Sequence, residues 1–480
     1  MLNNIATSGR GRWLLPRRAL GMAAVAAVLP LAACNLDEAL SIDDPFIVTP
    51  GTASDTTNLP NTYAGARARF ATAIGGRQNQ EGGYVLQTGT FTDELVDSDG
   101  FGTRQAIDRR RPSESNAASL DPYTYLQRAR AEAVNAAALF ASTSQAGSPQ
   151  HANLYSIVGY SELMLAEAFC SGIPLSIVDN EGAFQPTAGL TTSAVLDSAI
   201  AAFDKALSLA GTDATELNFA RVGKARALLF KGDYAGAATV ASAVPDNFRY
   251  LIEYDAGAQD AQNAVTELLN QERRWSTVDK EGTNGLDYMS SHDPRTPWGT
   301  ATGTLYAPAG DGPAADALPG LPHYSQLKYP SLGSDIPLAS GMEARYIQAE
   351  AALRASNVPL FLSMLNAARA ANNAVLPASG QLGALGLGSG PTNIGATPAE
   401  QLRTLMRERA FSLWLTGHRL GDLRRVVRPV QSGGWGQSQA EWWPIGTDRR
   451  GDAYGTDVVL TIPQEERNNP LYTGCLDMNP

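Results

Sequence analysis

The chain has 480 residues, of which 44% are apolar and 18% charged, so it can bury a large core and general disorder is excluded. Lys and Arg number 37 against 48 Asp and Glu, which gives a net charge of −11. Phosphate binding needs a basic surface, so this balance argues against a nucleic-acid-binding protein. Three cysteines in a chain of this length exclude a scaffold built on disulfides.

The first 33 residues have the pattern of a secretion signal. Four arginines and no acidic residue precede Cys34: Arg10, Arg12, Arg17 and Arg18. The apolar run Ala19–Leu29 follows them and is too short to span a bilayer. The sequence Leu31-Ala32-Ala33-Cys34 is typical of a bacterial lipoprotein cleavage box, so we expect lipidation at Cys34. The alternative is an ordinary signal peptide that happens to contain a cysteine.

Residues 34–60 contain Asp, Thr, Pro and Gly with little periodicity, which predicts a tether before a single globular domain at 61–480. Asn35, rather than an Asp that would favour inner-membrane retention, follows Cys34. We therefore expect a lipid-anchored protein of the outer membrane that faces the cell exterior. An oxidising compartment favours a disulfide between Cys170 and Cys475, with two buried thiols as the alternative.

Apolar residues at helical spacing predict a mainly α fold. Asp121-Pro122 marks the start of one helix, and amphipathic faces follow at 154–168, 195–207 and 217–243. The last of these reads as helix, tight turn and helix around Gly232-Asp233-Tyr234, and it resembles the middle of a tetratricopeptide repeat. A second helix pair is predicted at 346–354 and 360–370. Stacked pairs of this kind bury a continuous core.

Two long stretches lack helical periodicity. Residues 291–340 are rich in Gly and Pro and carry several aromatic residues, and residues 373–398 are rich in Gly, Ala, Ser and Pro. Neither is charged enough to indicate disorder. We expect both to pack down onto the helices and to contribute to a binding surface.

The densest pattern lies near the C-terminus, where an apolar helical stripe over 402–414 leads to Gly417-His418-Arg419 and then to Asp422-Leu423-Arg424-Arg425. Charged residues of both signs crowd this corner. We predict that they form a partly buried ion network that fixes one helix against another, and that they are structural rather than catalytic. They are Glu408, Arg409, Arg419, Asp422 and Arg424.

This pattern resembles the SusD/RagB family of surface lipoproteins, in which a Glu-Arg helix precedes Gly-His-Arg and Asp-Leu-Arg-Arg. Segments 166–175, 343–351 and 462–470 are also similar to the family's pattern, in the same order. The resemblance implies tetratricopeptide-like helical pairs with long irregular loops that form a binding half. It divides the domain into an N-terminal part at about 61–340 and a C-terminal module at about 341–480. Leu420 stands where the family usually has an aromatic residue, which indicates a divergent branch.

The resemblance also implies a function without catalysis or a cofactor. Such a protein captures a nutrient, an oligosaccharide or a peptide, and delivers it to a partner TonB-dependent (SusC-like) transporter of the outer membrane. Aromatic rings pack on sugar faces while polar groups fix the hydroxyls. The ligand-binding residues expected in and beside the first irregular stretch are therefore Trp275, Tyr288, Asp293, Arg295, Trp298 and Tyr306. Trp435, Trp442 and Trp443 form a second cluster, whose last two members could face the transporter.

Two other functions stay open at this point. A helical-repeat adaptor would bind only proteins, and a glycan-degrading hydrolase would need a carboxylate pair, for which Asp93 and Glu94 are candidates. The four histidines show no metal-ligand spacing, so no metal site is expected. Asp97-Ser98-Asp99-Gly100 suggests a calcium loop, but Leu95 and Ala106 replace two of its ligands. A looser calcium site or a plain surface turn would fit this segment.

Overall fold

The computed structural model describes residues 56–78, 80–312 and 322–479, and Cys34 with the predicted signal peptide lies outside this range. The end of the predicted tether lies inside it. A 3₁₀ turn at Thr56–Asn58 leads directly into a helix that begins at Leu59, with Pro60 in its first turn. Proline fits there because its missing N–H would have no partner in the helix anyway. This helix therefore includes the last two residues of the predicted tether.

The described residues are about half helical, which confirms the mainly α fold. The α-helices are α1 (Leu59–Gly75), α2 (Tyr84–Thr90), α3 (Gly102–Asp108), α4 (Ala117–Ala141), α5 (Pro149–Ala168), α6 (Thr192–Leu209), α7 (Ala214–Lys231), α8 (Tyr234–Ala241), α9 (Ala264–Thr266), α10 (Gly341–Arg354), α11 (Val358–Asn373), α12 (Pro398–Ser412), α13 (Arg419–Val427) and α14 (Gln439–Trp442). The strands are β1 (Leu95–Asp97), β2 (Ile177–Val178), β3 (Phe184–Gln185), β4 (Arg249–Ile252), β5 (Trp275–Thr277), β6 (Trp298–Gly299), β7 (Ser325–Gln326) and β8 (Ile336–Ser340).

The long helices stack in chain order, as the sequence predicts. From α4 to α8 each helix packs mainly on the next one, and α8 then packs on α10, which pairs with α11. The turn between α7 and α8 has Gly232 in the left-handed region at a φ of 93°, where a side chain would be strained. The Asp233 carboxylate accepts from the Gly236 N–H at 2.9 Å and so caps the next helix.

Close approach of the helices depends on small residues. The Phe203 ring of α6 lies between Gly159 of α5 and Gly223 of α7, and a methyl group at Gly223 would lie 2.4 Å from that ring. Tyr160 contacts Phe203 edge-on, with ring centroids 5.1 Å apart. Burial of a ring of this size contributes roughly 1.5–3 kcal/mol to the free energy of folding. The Phe203 ring therefore helps to hold α5, α6 and α7 together.

One helix boundary differs from the prediction. Helix α4 begins at Ala117 rather than after Asp121, because the Asn116 side chain accepts from the Ala118 N–H at 2.8 Å and caps the helix earlier. Pro122 then lies inside the helix. Its missing N–H leaves one backbone carbonyl of the first turn without its helical donor.

The residues outside the stacked helices α4–α8, α10 and α11 form what we call the loop-rich half, which contains little sheet. Among the described residues the strands form four two-stranded antiparallel sheets: β1 with β5, β2 with β3, β4 with β8 and β6 with β7. Three of these sheets join segments far apart in the chain, and the β4–β8 sheet connects the end of the helical stack to α10. The described parts of the first irregular stretch, 291–312 and 322–340, contribute β6, β7 and β8 to this half. Most residues of the second stretch, 373–398, are exposed rather than packed down.

The predicted charged corner is present, and it is fully buried rather than partly so. Arg409 and Asp422 form a two-point ion pair at 2.8 Å. Its other members pair with residues that the sequence pattern did not indicate. Arg419 binds Asp93 at 2.7 and 2.9 Å, and Glu408 binds Arg295 at 2.8 Å. The corner therefore joins the C-terminal module to distant parts of the chain.

Arg424 of the same corner binds the backbone at the end of α5. Its guanidinium donates to the carbonyl oxygens of Ala166 and Glu167 at 2.7 and 2.6 Å, at the end of α5. A helix end leaves carbonyls without partners, and a buried arginine can satisfy several of them together. This contact ties α13 to the helical stack.

The C-terminal tail is tied to the end of α5. Cys170 and Cys475 form a disulfide with a Cα–Cα distance of 5.8 Å. Backbone hydrogen bonds lie beside it, from the Cys170 N–H to the Leu460 carbonyl and from the Leu476 N–H to the Ser171 carbonyl. Across residues 56–78, 80–312 and 322–479, no helix combines the length and the apolar composition that a bilayer crossing requires.

Candidate functional site

Four aromatic rings meet at the surface of the loop-rich half. Trp298 lies at the centre, with centroid distances of 6.0 Å to His292, 5.6 Å to Tyr306 and 5.3 Å to Tyr324. His292 also contacts Tyr306 edge-on at 4.7 Å. We call these four residues the aromatic cluster. Trp298 itself is buried, whereas His292 is exposed and Tyr306 and Tyr324 are partly exposed.

The backbone holds the cluster in place. Strand β6 carries Trp298 and pairs with β7, and the indole N–H donates to the Met289 carbonyl at 3.0 Å. His292 and Tyr306 both adopt left-handed backbone conformations, with φ of 50° and 55°. Residues other than glycine rarely adopt this conformation, and it often marks a functional position. The Tyr306 hydroxyl donates to the His292 carbonyl at 3.2 Å and closes the arrangement.

The structure brings together only part of the predicted ligand set. Trp298 and Tyr306 belong to the aromatic cluster, but Trp275 and Tyr288 are buried in the core and present no face to a ligand. Trp275 lies in β5 under the Arg104 guanidinium, 4.8 Å from it. Tyr288 stacks on Phe411 of α12 at 5.1 Å. Both residues lie near the irregular stretch in the sequence, but in the fold other elements cover their rings.

Asp293 and Arg295 anchor the loop rather than offering free hydrogen-bonding groups. Arg295 is buried and donates to Asp293 at 2.7 and 2.9 Å, to Glu408 at 2.8 Å and to the Ser412 hydroxyl at 3.1 Å. Its guanidinium is therefore fully engaged, and the pKa of Asp293 is lowered by these contacts despite burial, which opposes them. These pairs fasten the segment that carries the cluster to α12.

A cleft is lined in part by Pro294, Arg295 and Pro297, which precede Trp298 of the aromatic cluster in the chain. Its volume is about 540 Å³, within the range of small-molecule sites. The walls come from the end of α11 and Leu376–Pro377, from β4 and β8, and from Leu327–Tyr329. Residues of both irregular stretches therefore line this cleft.

Lys328 lines the cleft, and one hydrogen bond of its amine goes to the protein. It donates to the Trp414 carbonyl, and burial lowers its pKa to about 7; Glu94 opposes this shift and Arg249 reinforces it. Burial likewise raises the pKa of the Glu94 carboxyl to about 8, and Asp93 adds to the shift. Titratable groups with shifted pKa values beside a cleft are typical of functional sites.

The carboxylates considered for a hydrolase are structural. Asp93 is engaged on both oxygens, by Arg419 and by the Leu286 N–H at 3.0 Å. Glu94 accepts from the Leu415 N–H at 3.2 Å. Both are at most 1% exposed, so neither reaches a substrate from solvent. A general acid or base must lie within hydrogen-bonding reach of its substrate, and this pair does not.

The acidic turn Asp97–Gly100 is neither a surface turn nor an open cation site. Asp97 and Asp99 are buried, where Arg450 binds Asp97 at 2.9 Å and Arg104 binds Asp99. Burial, together with Asp99 and Asp108, raises the pKa of Asp97 to about 9. The described residues contain no grouping of His, Cys, Asp and Glu with the geometry of a metal site.

The second tryptophan cluster does not form an exposed face for a transporter. Trp443 is fully buried against Phe91, with ring centroids 6.1 Å apart, and Trp442 is 7% exposed under Arg403. Trp435 packs on Tyr234 of α8 at 6.1 Å. All three rings fasten the C-terminal module to the helices, and the suggestion that Trp442–Trp443 face a partner is wrong.

Sequence reasoning missed two members of the aromatic cluster. Neither His292 nor Tyr324 is in the predicted ligand set, and His292 enters the sequence analysis only as one of the four histidines without metal-ligand spacing. The signal that connects them is the alignment of β6 with β7, which brings position 298 beside positions 324–326. Two-residue strands leave no readable alternation in a sequence, so this pairing could not be anticipated.

Comparison with known proteins identifies the fold. No family model and no curated protein matches this chain. A SusD superfamily protein from Parabacteroides distasonis superposes with a TM-score of 0.61 at 12% identity, covering 87% of this chain and 98% of that one. For a SusD superfamily protein from Bacteroides vulgatus the TM-score is 0.57 at 14% identity, with coverages of 88% and 99%. For a SusD-like carbohydrate-binding protein from Bacteroides fragilis it is 0.59 at 14% identity, with coverages of 88% and 99%. The chain therefore has the SusD-like fold over nearly its whole described length.

Proposed function

We propose that this protein is a surface lipoprotein that captures an oligosaccharide at the aromatic cluster and delivers it to a TonB-dependent transporter. The observation that carries the proposal is the cluster itself. His292, Tyr306 and Tyr324 are rings that solvent reaches, and Trp298 supports them from below. Sugar rings present C–H faces that pack on such a platform. Capture, rather than catalysis, is the activity that this arrangement supports.

Rigidity of the platform favours binding. The two left-handed backbone positions, the buried Trp298 and the Arg295–Glu408 ion pair fix the loop before a ligand arrives. A preformed site loses less conformational entropy on binding than a flexible one. The exposed carbonyls and side chains beside the rings would then bind sugar hydroxyls.

The fold neighbours support the choice of a sugar. Several of them are described as SusD-like carbohydrate-binding proteins or as a sugar-binding protein. None of these descriptions names an enzyme. The two candidate carboxylates of a hydrolase are buried and engaged, so the non-enzymatic proposal also fits the geometry of this chain.

The sequence supports a lipid anchor, and the anchor in turn supports a transporter as partner. Cys34 follows a lipoprotein cleavage box, and the acidic domain behind it would be repelled by anionic head groups. The lipid, rather than the protein surface, would then hold the domain at the outer membrane. A protein that binds a sugar there without a pathway across the membrane needs a transporter as its partner.

Calorimetric titration with neutral hexasaccharides tests the binding activity. Maltohexaose, cellohexaose, xylohexaose and mannohexaose form a suitable panel, and a trialanine titration is the matched peptide control. We expect saturable binding of at least one sugar, with Trp fluorescence reporting the contact. The oligosaccharide proposal would be overturned if neither these sugars nor an acidic oligosaccharide such as trigalacturonate bound saturably. Slow release of reducing ends during titration would instead show a hydrolase.

Isolation of the native complex tests the anchor and the partner. The protein is captured from outer membranes in mild detergent, and co-purifying proteins are identified by mass spectrometry. We expect a large TonB-dependent barrel at near-equal amount, and we expect Cys34→Ser to move the protein to the soluble fraction. A Cys34→Ser protein that stays in the membrane would contradict the anchor. Recovery of only small soluble partners would favour a protein adaptor.

A further inference from the structure

The cleft contains two cations that have no counter-charge. Lys328 and Arg249 both line it. Among the described residues no carboxylate lies within 4 Å of either side chain, and the one polar contact of the Lys328 amine is to the Trp414 carbonyl. Arg249 is exposed at the mouth of the cleft, in β4. A charged amine removed from water, as that of Lys328 is, normally has a counter-charge, whereas water solvates Arg249.

Every acidic group that lines the cleft is already engaged elsewhere. Asp246 binds Arg345 at 2.7 Å, and Glu343 binds His418 at 3.1 Å. Asp335 accepts from the Tyr254 N–H at 3.1 Å. The third cation of the lining, Arg295, is neutralised by Asp293 and Glu408. Asp335 keeps its negative charge, because a backbone N–H does not neutralise a carboxylate. Among the described lining residues, Arg249 and Lys328 are the Lys and Arg side chains without a carboxylate within 4 Å.

The two cations interact with each other. Arg249 lies close enough to disfavour the protonated form of Lys328, while Glu94 behind the wall favours it. Glu94 is itself buried and has its pKa raised to about 8, so it is a weak counter-charge near neutral pH. An anion placed between Arg249 and Lys328 would relieve their repulsion.

The rest of the wall suits a compact organic molecule rather than a bare ion. Apolar side chains form much of the lining: Phe248, Leu327, Pro337, Met342, Leu376 and Pro377. Ser412 and Asn372 add hydroxyl and amide groups at the floor, where they bond to each other at 2.9 Å. A site of this size and composition accepts a ring or a short chain with one charged end.

We propose that the cleft binds the carboxylate of an acidic ligand between Arg249 and Lys328. Charge-assisted hydrogen bonds from a guanidinium and an amine are the strongest that a carboxylate can form here. The inference rests on the proposed function and narrows it: the captured oligosaccharide carries a uronate, which enters the cleft while neighbouring sugars lie on the aromatic cluster. The C-terminal carboxylate of a peptide offers the same chemistry, and the test separates the two sources.

The test uses two matched probe pairs. Trigalacturonate is compared with its methyl ester, and trialanine with trialanine amide, by calorimetric titration of the purified protein. Each pair has the same shape and differs in the charge. We expect trigalacturonate to bind at least about tenfold more tightly than its ester, because the ester cannot accept charge-assisted hydrogen bonds. If only trialanine bound more tightly than its amide, the site would still bind a carboxylate, and its natural ligand would be a peptide.

Substitutions locate the effect. Arg249→Ala and Lys328→Met should each lower the affinity for the charged probe by about tenfold and leave the affinity for the ester unchanged. Arg249 is exposed, so its variant should fold normally even if loss of Lys328 perturbs the wall. Lys205→Met, an exposed lysine of α6 outside the cleft, is the matched control and should bind like the wild type.

Equal binding of the charged and uncharged members in both pairs would overturn the proposal, and so would charged binding that Arg249→Ala leaves intact. These outcomes are separable from failure of the proposed function. The neutral hexasaccharides report on the aromatic cluster, and Arg249→Ala should leave their binding unchanged. A chain that binds neutral sugars without charge discrimination retains the first proposal and loses the second.

Discussion

The helical stack and the loop-rich half of this molecule are held together in different ways. In the stack, from α4 to α8, neighbours in space are mostly neighbours in the chain, and rings such as Phe203 fill the space left by glycines. In the loop-rich half, short strands and buried ion pairs connect residues hundreds of positions apart. Arg419 and Asp93 are separated by 326 residues, and Cys170 and Cys475 by 305.

The difference explains where a binding site can form. Apolar packing between helices tolerates substitution and gives a stable support, while the exposed loops carry the aromatic cluster and the cleft. Buried arginines fix these loops without regular secondary structure, because one guanidinium has five donors in a fixed plane and can bind several segments together. Arg295, for example, contacts its own loop and α12.

The strongest test of this difference removes one buried charge from the loop-rich half. Arg419→Met leaves the Asp93 carboxylate buried without its partner, so we expect a loss of about 3–5 kcal/mol in the free energy of unfolding. Urea denaturation followed by circular dichroism measures it.

The matched control is an exposed pair in the same half. Arg403 and Glu441 lie 2.8 Å apart, with side chains about half exposed. Arg403→Met should cost less than about 1 kcal/mol, because solvent screens exposed pairs. If the two variants lose equal stability, the claim that buried ion pairs hold the loop-rich half together is wrong.

Removal of the disulfide should have the next largest effect. Cys475→Ser, made in a Cys34→Ser background that carries no lipid, should lower the free energy of unfolding by about 2–4 kcal/mol, since the cross-link constrains the unfolded chain. Hydrogen exchange should also rise selectively in the tail around Leu476. The background protein should show no free thiol by titration, and two reactive thiols in it would contradict the bridge.

A buried acid should make the stability depend on pH. The folded state raises the pKa of Glu94 from 4.5 to about 8, so its stabilising contribution is complete below the unfolded pKa and is lost as pH rises towards 8. Glu94→Gln cannot lose a proton. Between pH 5 and pH 9 the wild type should therefore lose roughly 4 kcal/mol relative to this variant, since each pH unit between the two pKa values costs about 1.4 kcal/mol.

The same pH series on an exposed acid provides the comparison. Glu181 lies at the surface, and Glu181→Gln should follow the wild type at every pH. A Glu94→Gln variant that tracks the wild type equally well would show that the Glu94 carboxyl is not held in its protonated form.

Local patterns in the sequence were sufficient for the helical stack, while contacts across the chain were not. The turn at Gly232 and the pairs α7–α8 and α10–α11 follow from spacing and capping residues alone. The corner around Arg409 and Asp422 was visible because both residues lie in one motif. Asp93 as the partner of Arg419 was not visible, since no local pattern marks an ion pair over such a separation.

The binding surface was located only approximately from the sequence, for the same reason. Trp298 and Tyr306 were expected from their irregular surroundings, yet Trp275 and Tyr288 in similar surroundings are buried. Whether an aromatic ring reaches solvent depends on which distant element covers it. For Tyr288 that element is α12, and for Trp275 it is Arg104 of α3. Composition identified the region, and only the fold identified the rings.

The most direct test of sugar capture at the aromatic cluster compares two changes at Tyr306, titrated with whichever neutral hexasaccharide binds the wild type. Tyr306→Phe keeps the ring, and Tyr306→Leu removes it at the same backbone strain. We expect Tyr306→Phe to bind within about threefold of the wild type and Tyr306→Leu to bind about tenfold more weakly, as loss of a stacking ring implies. Equal binding by the leucine and phenylalanine variants would contradict the central role given to this cluster.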